Sequence, residues 1–159
     1  MDLLDQLLDH DDWATMTLLD ACRDLTDARL DQPFDIGHGT LRATFEHMIP
    51  NPAFWNGLMT GQPVEIALNA PSIAGLIAAQ KRYFGDFAAI ARRLRDEGAL
   101  DDIYVDHYGV RKSMSGTILM VVLHNTEHRT EIQHILQRLG QAGAPEVDLG
   151  VWDYERLNP

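Results

Sequence analysis

The chain has 159 residues, a formal net charge of −11 and one cysteine, Cys22. That length fits a single domain, residues 1–159, able to bury a full core without staples. The acidic balance excludes the basic patch that nucleic acid or an anionic membrane requires, and no apolar run approaches a membrane span. A lone cysteine rules out an internal disulfide. It suits a reducing cytoplasm, as does an acidic N-terminus without the basic start of a signal peptide. Cys22 reads as a small helix residue and not as a nucleophile.

Four amphipathic stretches follow in order. The first spans about Asp2 to Leu25, with Leu3, Leu7, His10, Ala14, Leu18, Ala21 and Leu25 on one face. Thr26 to Pro33 reads as a loop. The second runs from Gly39–Thr40 to Thr60–Gly61, with Leu41, Thr44, His47, Met48, Asn51, Trp55 and Leu58 as its inner stripe. Pro50 and Pro52 predict a kink just after His47, because proline removes a donor and clashes with the preceding turn. The third begins after Pro71–Ser72 and extends to Glu97–Gly98, with Ile73, Leu76, Ile77, Tyr83, Phe84, Phe87 and Leu94 inward. Leu100 to Tyr108 alternates as a short strand or extended loop. The fourth runs from Met114 to Leu139 and is ended by Gly140 and by Gly143–Ala144–Pro145. The tail from Val147, with Trp152 and Tyr154, is expected to pack back on the helices. Trp13 and Trp55 read as core or pocket wall. The pattern predicts an all-α four-helix bundle with a short extended segment between helices 3 and 4.

Helix 4 carries His124 and His128 one turn apart on the face of Thr117, Val121, Ile132, Ile135 and Leu139. His128 lies nearer the middle of that stripe and is expected to be the more buried. Two imidazoles so spaced can share a metal ion. The same pattern also fits two core histidines hydrogen-bonded to neighbours. Asn125 stands where a zincin needs glutamate, which disfavours a protease of that type. With His47 on helix 2, a three-histidine set results, the ligand count of a catalytic metal with an open position. His134, His38 and His107 read as exposed. His10 reads as a buried histidine bonded to a neighbour, as a general base or orienting group, or as a fourth ligand, and Glu131 as orienting a histidine or as a solvated carboxylate; these two are the catalytic candidates, and Asn51 either caps the Pro52 break or meets substrate.

The segments Leu7-Leu8-Asp9-His10-Asp11-Asp12-Trp13-Ala14, Leu41-Arg42-Ala43-Thr44-Phe45-Glu46-His47 and Leu123-His124-Asn125-Thr126-Glu127-His128-Arg129-Thr130-Glu131-Ile132 resemble the DinB/YfiT-like family. The resemblance implies a four-helix bundle, often a homodimer. It further implies a divalent metal, nickel or zinc, on His47, His124 and His128. Characterised members include bacillithiol- or mycothiol-dependent S-transferases and isomerases, and some hydrolases. Three positions depart from the family pattern: Glu131 replaces an amide, Pro52 an acidic residue and His10 a tyrosine.

Two functions follow as expectations. In the first, the metal activates a low-molecular-weight thiol or a water toward a small-molecule substrate, giving an S-transferase or a hydrolase. Arg42, Arg111, Lys112 and Arg129 are the cations available to an anionic thiol. In the second, the chain is a non-catalytic dimeric stress-response module that binds metal or ligand. Its interface would use the outward Leu119, Val122 and Leu123 of helix 4.

Overall fold

The computed structural model describes residues 1–68, 71–140 and 144–158. It is helical apart from one two-stranded hairpin. The elements are α1 (Leu3–Ala21), α2 (Asp27–Leu30), α3 (Leu41–Met48), α4 (Asn51–Thr60), α5 (Ile73–Asp96), β1 (Ile103–Val105), β2 (Arg111–Ser113), α6 (Met114–Arg138) and α7 (Leu149–Leu157). No helix among the described residues is long and apolar enough to cross a membrane.

The long helices start on side-chain caps that satisfy otherwise unpaired N–H groups. Asp2 and Asp5 form a reciprocal capping box on α1. Ser72 accepts from the Gly75 N–H at the start of α5, and Ser113 from the Gly116 N–H at the start of α6. The expected kink of helix 2 is a full break. α3 ends at Met48, Pro50 caps α4, and Pro52 sits in its first turn, where a missing N–H costs nothing. α4 ends on Gly61, whose φ of +67° favours glycine.

α1 packs on α5 and α6, α4 on α5, and both α3 and α4 on α6. The apolar residues form two clusters. One gathers Ala14, Leu18, Phe45, Leu76 and Ile132; the other gathers Leu8, Phe84, Phe87, Ile118 and Val121. The inward stripe of α5 is as expected, all seven residues being buried.

Between the clusters runs a buried polar belt. Asp11 of α1 is fully buried, and Asn125 and Arg129 of α6 are 2% exposed. Arg129 Nη1 donates to Asp11 Oδ1 at 2.5 Å, and Asn125 Nδ2 donates to Asp11 Oδ2 at 2.8 Å. Arg129 also reaches Thr15 and Thr126. A buried ion pair of this kind is tolerated only when its remaining hydrogen bonds are made.

This belt shifts the centre of the faces expected from apolar spacing, although Thr117, Val121, Ile132, Ile135 and Leu139 are all buried as expected. On α6 the centre of the buried face falls at Asn125 and Arg129, so His124 and His128 lie at its edge, both half-buried. Val122 is buried and not outward, whereas Leu119 and Leu123 are exposed as expected. On α1 the buried residues are Leu8, Asp11, Ala14, Thr15, Leu18 and Leu19, of which Ala14 and Leu18 were expected. Leu3, in the first turn of α1, is 83% exposed and not inward.

β1 pairs antiparallel with β2, Tyr104 opposite Lys112. Asp106 holds the turn by accepting from the N–H groups of Tyr108 and Val110. The first strand lies where alternation predicts it; the second, like α2 and α7, was not expected. α7 does bring the tail back, with Trp152 buried and Tyr154 exposed. α6 ends before Gly140, whose φ is +72°. The part assigned to Gly143 in that ending lies outside the described residues, as does Pro159.

Candidate metal centre

α3 and α6 lie side by side, and the break after α3 turns α4 so that residues on both sides of Pro50 face the same turn of α6. His47 comes from the last turn of α3, Asn51 from the first residue of α4, and His124 and His128 from α6. His47 Nε2 lies 3.0 Å from His124 Nε2, and His128 Nε2 lies 3.1 Å from the same atom. The three histidines singled out in the sequence are thus brought together.

A fourth joins them. His38 stacks on His47, ring centroids 3.8 Å apart, and lies 5.2 Å from the ring of His128. Donor atoms of His38, His47 and His128 are all within 4.8 Å of one another. His38 is exposed, as expected, but the reading that left it outside the site is corrected. It sits on a loop before α3 where no helical period signals direction. The surviving clue in the sequence is its setting, Gly37-His38-Gly39. Both glycines adopt positive φ, +58° and +85°. A β-carbon on Gly37 would stand 2.8 Å from Glu131 Oε2, so the loop closes directly on that carboxylate. The loop is tied to α3 by the His38 N–H, which donates to Thr44 Oγ1 at 3.3 Å.

The outer nitrogens of the α6 rings are held as well. His128 Nδ1 lies 2.6 Å from Glu131 Oε2. A carboxylate only accepts, so Nδ1 carries the proton and the Nε2 lone pair faces the cluster. Glu131 therefore orients a histidine, one of the two roles its position allowed. Asn51 is corrected in the same way. Pro50, and not the Asn51 side chain, caps α4, and Asn51 Nδ2 lies 3.2 Å from His124 Nδ1.

Partial burial, then the neighbouring His38, His128 and His124, push the His47 imidazolium down to about 4. Burial and His128 likewise lower His124. At neutral pH these rings are neutral, the form that binds metal. His47, His124 and His128, with His38 beside His47 and His128 and with two of the rings held at their outer nitrogens, are a donor set suited to zinc or nickel.

Other expectations resolve differently. His10 Nε2 lies 2.9 Å from the Val147 carbonyl oxygen, and its ring packs on Trp13 and Trp152. Among the described residues it contacts none of the four histidines, so it pins the tail to α1 and is removed as a catalytic candidate. His107 and His134 are exposed. Arg42 is buried against Asp27, Asp31 and the Pro71 carbonyl, and Arg129 against Asp11. Neither is free to hold an anionic thiol. The Lys112 ammonium lies 5.4 Å from the centre of the Trp55 ring and 3.9 Å from Asp106 Oδ2. Cys22 is fully buried and burial pushes its thiol up to about 12, which excludes a nucleophile there.

Neither a curated protein nor a solved structure matches the chain. The model of the DinB family matches residues 1–155 of the 159, a span that contains all four histidines together with Asn51, Glu131 and the buried Asp11–Arg129 pair. The chain belongs to the DinB family.

Proposed function

We propose that this chain is a divalent-metal-dependent enzyme whose ion, zinc or nickel, is held by His47, His124 and His128. The observation that carries the reading is the convergence of three Nε2 atoms from two facing helix segments, with contacts of 3.0 and 3.1 Å. α1, the α3–α4 pair, α5 and α6 would be the four helices of a DinB-type bundle around this centre. Bound there, the ion keeps its full charge and lowers the pKa of a water or thiol beside it.

The surrounding residues have definable tasks. Glu131 fixes the tautomer of His128. Asn51 does the same for His124, presenting its Oδ1 to an Nδ1–H once Nε2 is needed for the ion, since the amide can turn over. One turn beyond Asn51, Phe54, Gly57 and Leu58 of α4 line an apolar cavity of about 420 Å³ with Val64, Ile66 and Val105. Such a cavity suits the apolar part of a small-molecule substrate. Lys112 and the exposed Arg111 are the cations left to meet an anionic low-molecular-weight thiol. S-transfer from such a thiol and hydrolysis by an activated water are both compatible with these residues. The half-exposed site favours catalysis over a purely structural ion, because the two apolar clusters hold the helices together independently of it.

A homodimer in a reducing cytoplasm fits the same reading. Leu3 and Leu119 flank an apolar groove lined also by Leu4, Leu7 and Leu100, and Leu123 is 62% exposed on α6.

The test is removal of metal from the purified protein with a strong chelator. About one ion per chain is expected before treatment and none after. The helical circular dichroism should be retained, and turnover of a thiol with a model electrophile, or of a model ester, should be lost and restored by Zn²⁺ or Ni²⁺. Unfolding on chelation would instead make the ion structural. Sedimentation of the same sample should give the dimer mass; the monomer mass at micromolar concentration would exclude the dimer.

A further inference from the structure

We propose that His38 is a fourth, displaceable metal ligand, carried by a glycine-hinged loop that covers the coordination position an incoming thiol or water must take. The inference rests on the metal reading above and adds to it a control over access. Three observations carry it. A donor atom of His38 lies within 4.8 Å of donors on His47 and His128. Two donors on one tetrahedral zinc lie about 3.4 Å apart, so closing on an ion asks the rings to draw together by up to about 1.4 Å. The loop is shaped to deliver this ring: Gly37 and Gly39 both adopt positive φ, and the Phe34 N–H donates to the Gly39 carbonyl at 2.7 Å to close the turn. Phe34 and Ile36 anchor the base of the loop on the core, whereas the His38 residue itself is lightly held. His38 is exposed, and its backbone tie to Thr44 is a long 3.3 Å bond. His47, His124 and His128, by contrast, sit on helices.

The arrangement separates the tasks of holding and opening. The helix-borne rings retain the ion while His38 swings out on its two glycines and leaves a position for a ligand. Gly37 also couples the loop to Glu131, since any side chain there would collide with the carboxylate that orients His128.

The test uses Co²⁺ as the probe metal and azide as the probe ligand, followed by visible absorption. Wild-type protein should bind one Co²⁺ and take up azide weakly, because His38 competes for the position. His38→Ala should still bind one Co²⁺, with affinity lowered about tenfold or more, since even losing an outer-shell partner costs ~10–100-fold. Its azide affinity should rise about tenfold. Gly37→Ala, which keeps the imidazole but forces the loop off Glu131, should move both constants the same way. Unchanged Co²⁺ and azide constants in both variants, at full Co²⁺ occupancy, would overturn the fourth ligand and leave the three-histidine site standing. Failure of the wild type to bind Co²⁺ would overturn both.

Discussion

Arg129→Leu should lower the stability of the protein by about 3–5 kcal/mol at neutral pH, the cost of leaving a buried charge without its partner. Asp11 has no access to water, and after the substitution only Asn125 Nδ2, among the described residues, still donates to its carboxylate. Burial already raises Asp11 above its ordinary value, with Arg129 and Asn125 opposing the rise. Without the guanidinium that opposition weakens, and the folded protein binds a proton more tightly than the unfolded chain does. The sign follows from linkage. Above the unfolded carboxylate range, near pH 4, the folded state of the variant takes up protons that the unfolded state lacks, so stability rises as pH falls. The deficit of Arg129→Leu should therefore be largest at pH 7 and shrink toward pH 5. Adding Asp11→Leu should recover most of the loss, because an apolar pair needs no compensation, although Asn125 then loses its acceptor. Urea midpoints of the three proteins at pH 7 and pH 5 measure this. A single-variant loss under about 1 kcal/mol, or one that grows as pH falls, would show that the belt does not carry the ion pair.

His128→Ala should have the opposite character, with a large effect on metal and a small one on the apo fold. Metal affinity is expected to fall by more than the ~10–100-fold that follows loss of an outer-shell partner. The apo protein should lose little. The His128 side chain is 12% exposed, and its partner Glu131 is 29% exposed, so water can take over the carboxylate when the imidazole is gone. A histidine serving only as a core hydrogen bond would behave differently, costing ~1–3 kcal/mol and leaving metal content unchanged. Bound metal and urea midpoint, read on the same purified variant, separate the two. Stoichiometric metal with a lowered midpoint would remove His128 from the ligand set.

The parts of this molecule that sequence makes legible are those where one physical signal dominates. α5 reads correctly because ten of its residues are buried and the apolar ones recur at helical spacing. The break after His47 reads correctly because two prolines leave no other outcome. On α1 and α6 the expected Ala14, Leu18, Thr117, Val121, Ile132 and Ile135 are buried, but the centre of each contact is displaced toward Asp11, Asn125 and Arg129, to which apolar spacing is blind. A buried arginine reads as a surface residue until its carboxylate is found 118 positions away. The candidate site divides the same way. His47, His124 and His128 are found because helical period aligns them on their helices, although His47 is exposed and not inward as its stripe predicts. His38 is missed because a loop has no period, and only the flanking glycines mark it. α2 and α7 are four and nine residues long, too short for periodicity to stand out from the neighbouring loops.

The chain separations have a kinetic meaning. His47 and His124 are 77 positions apart, and Asp11 and Arg129 are 118 apart. The first needs α3 docked on α6 and the second needs α1 docked on α6, each after a long loop has been closed at a cost in entropy. An ion therefore meets its donors late, once the transition state for folding is behind the chain. It would act as a latch and not as a nucleus: Zn²⁺ in the refolding buffer would leave the folding rate alone and slow unfolding. Stopped-flow rates with and without the ion read this directly, and a folding rate that rises with Zn²⁺ would place the histidines in the nucleus instead.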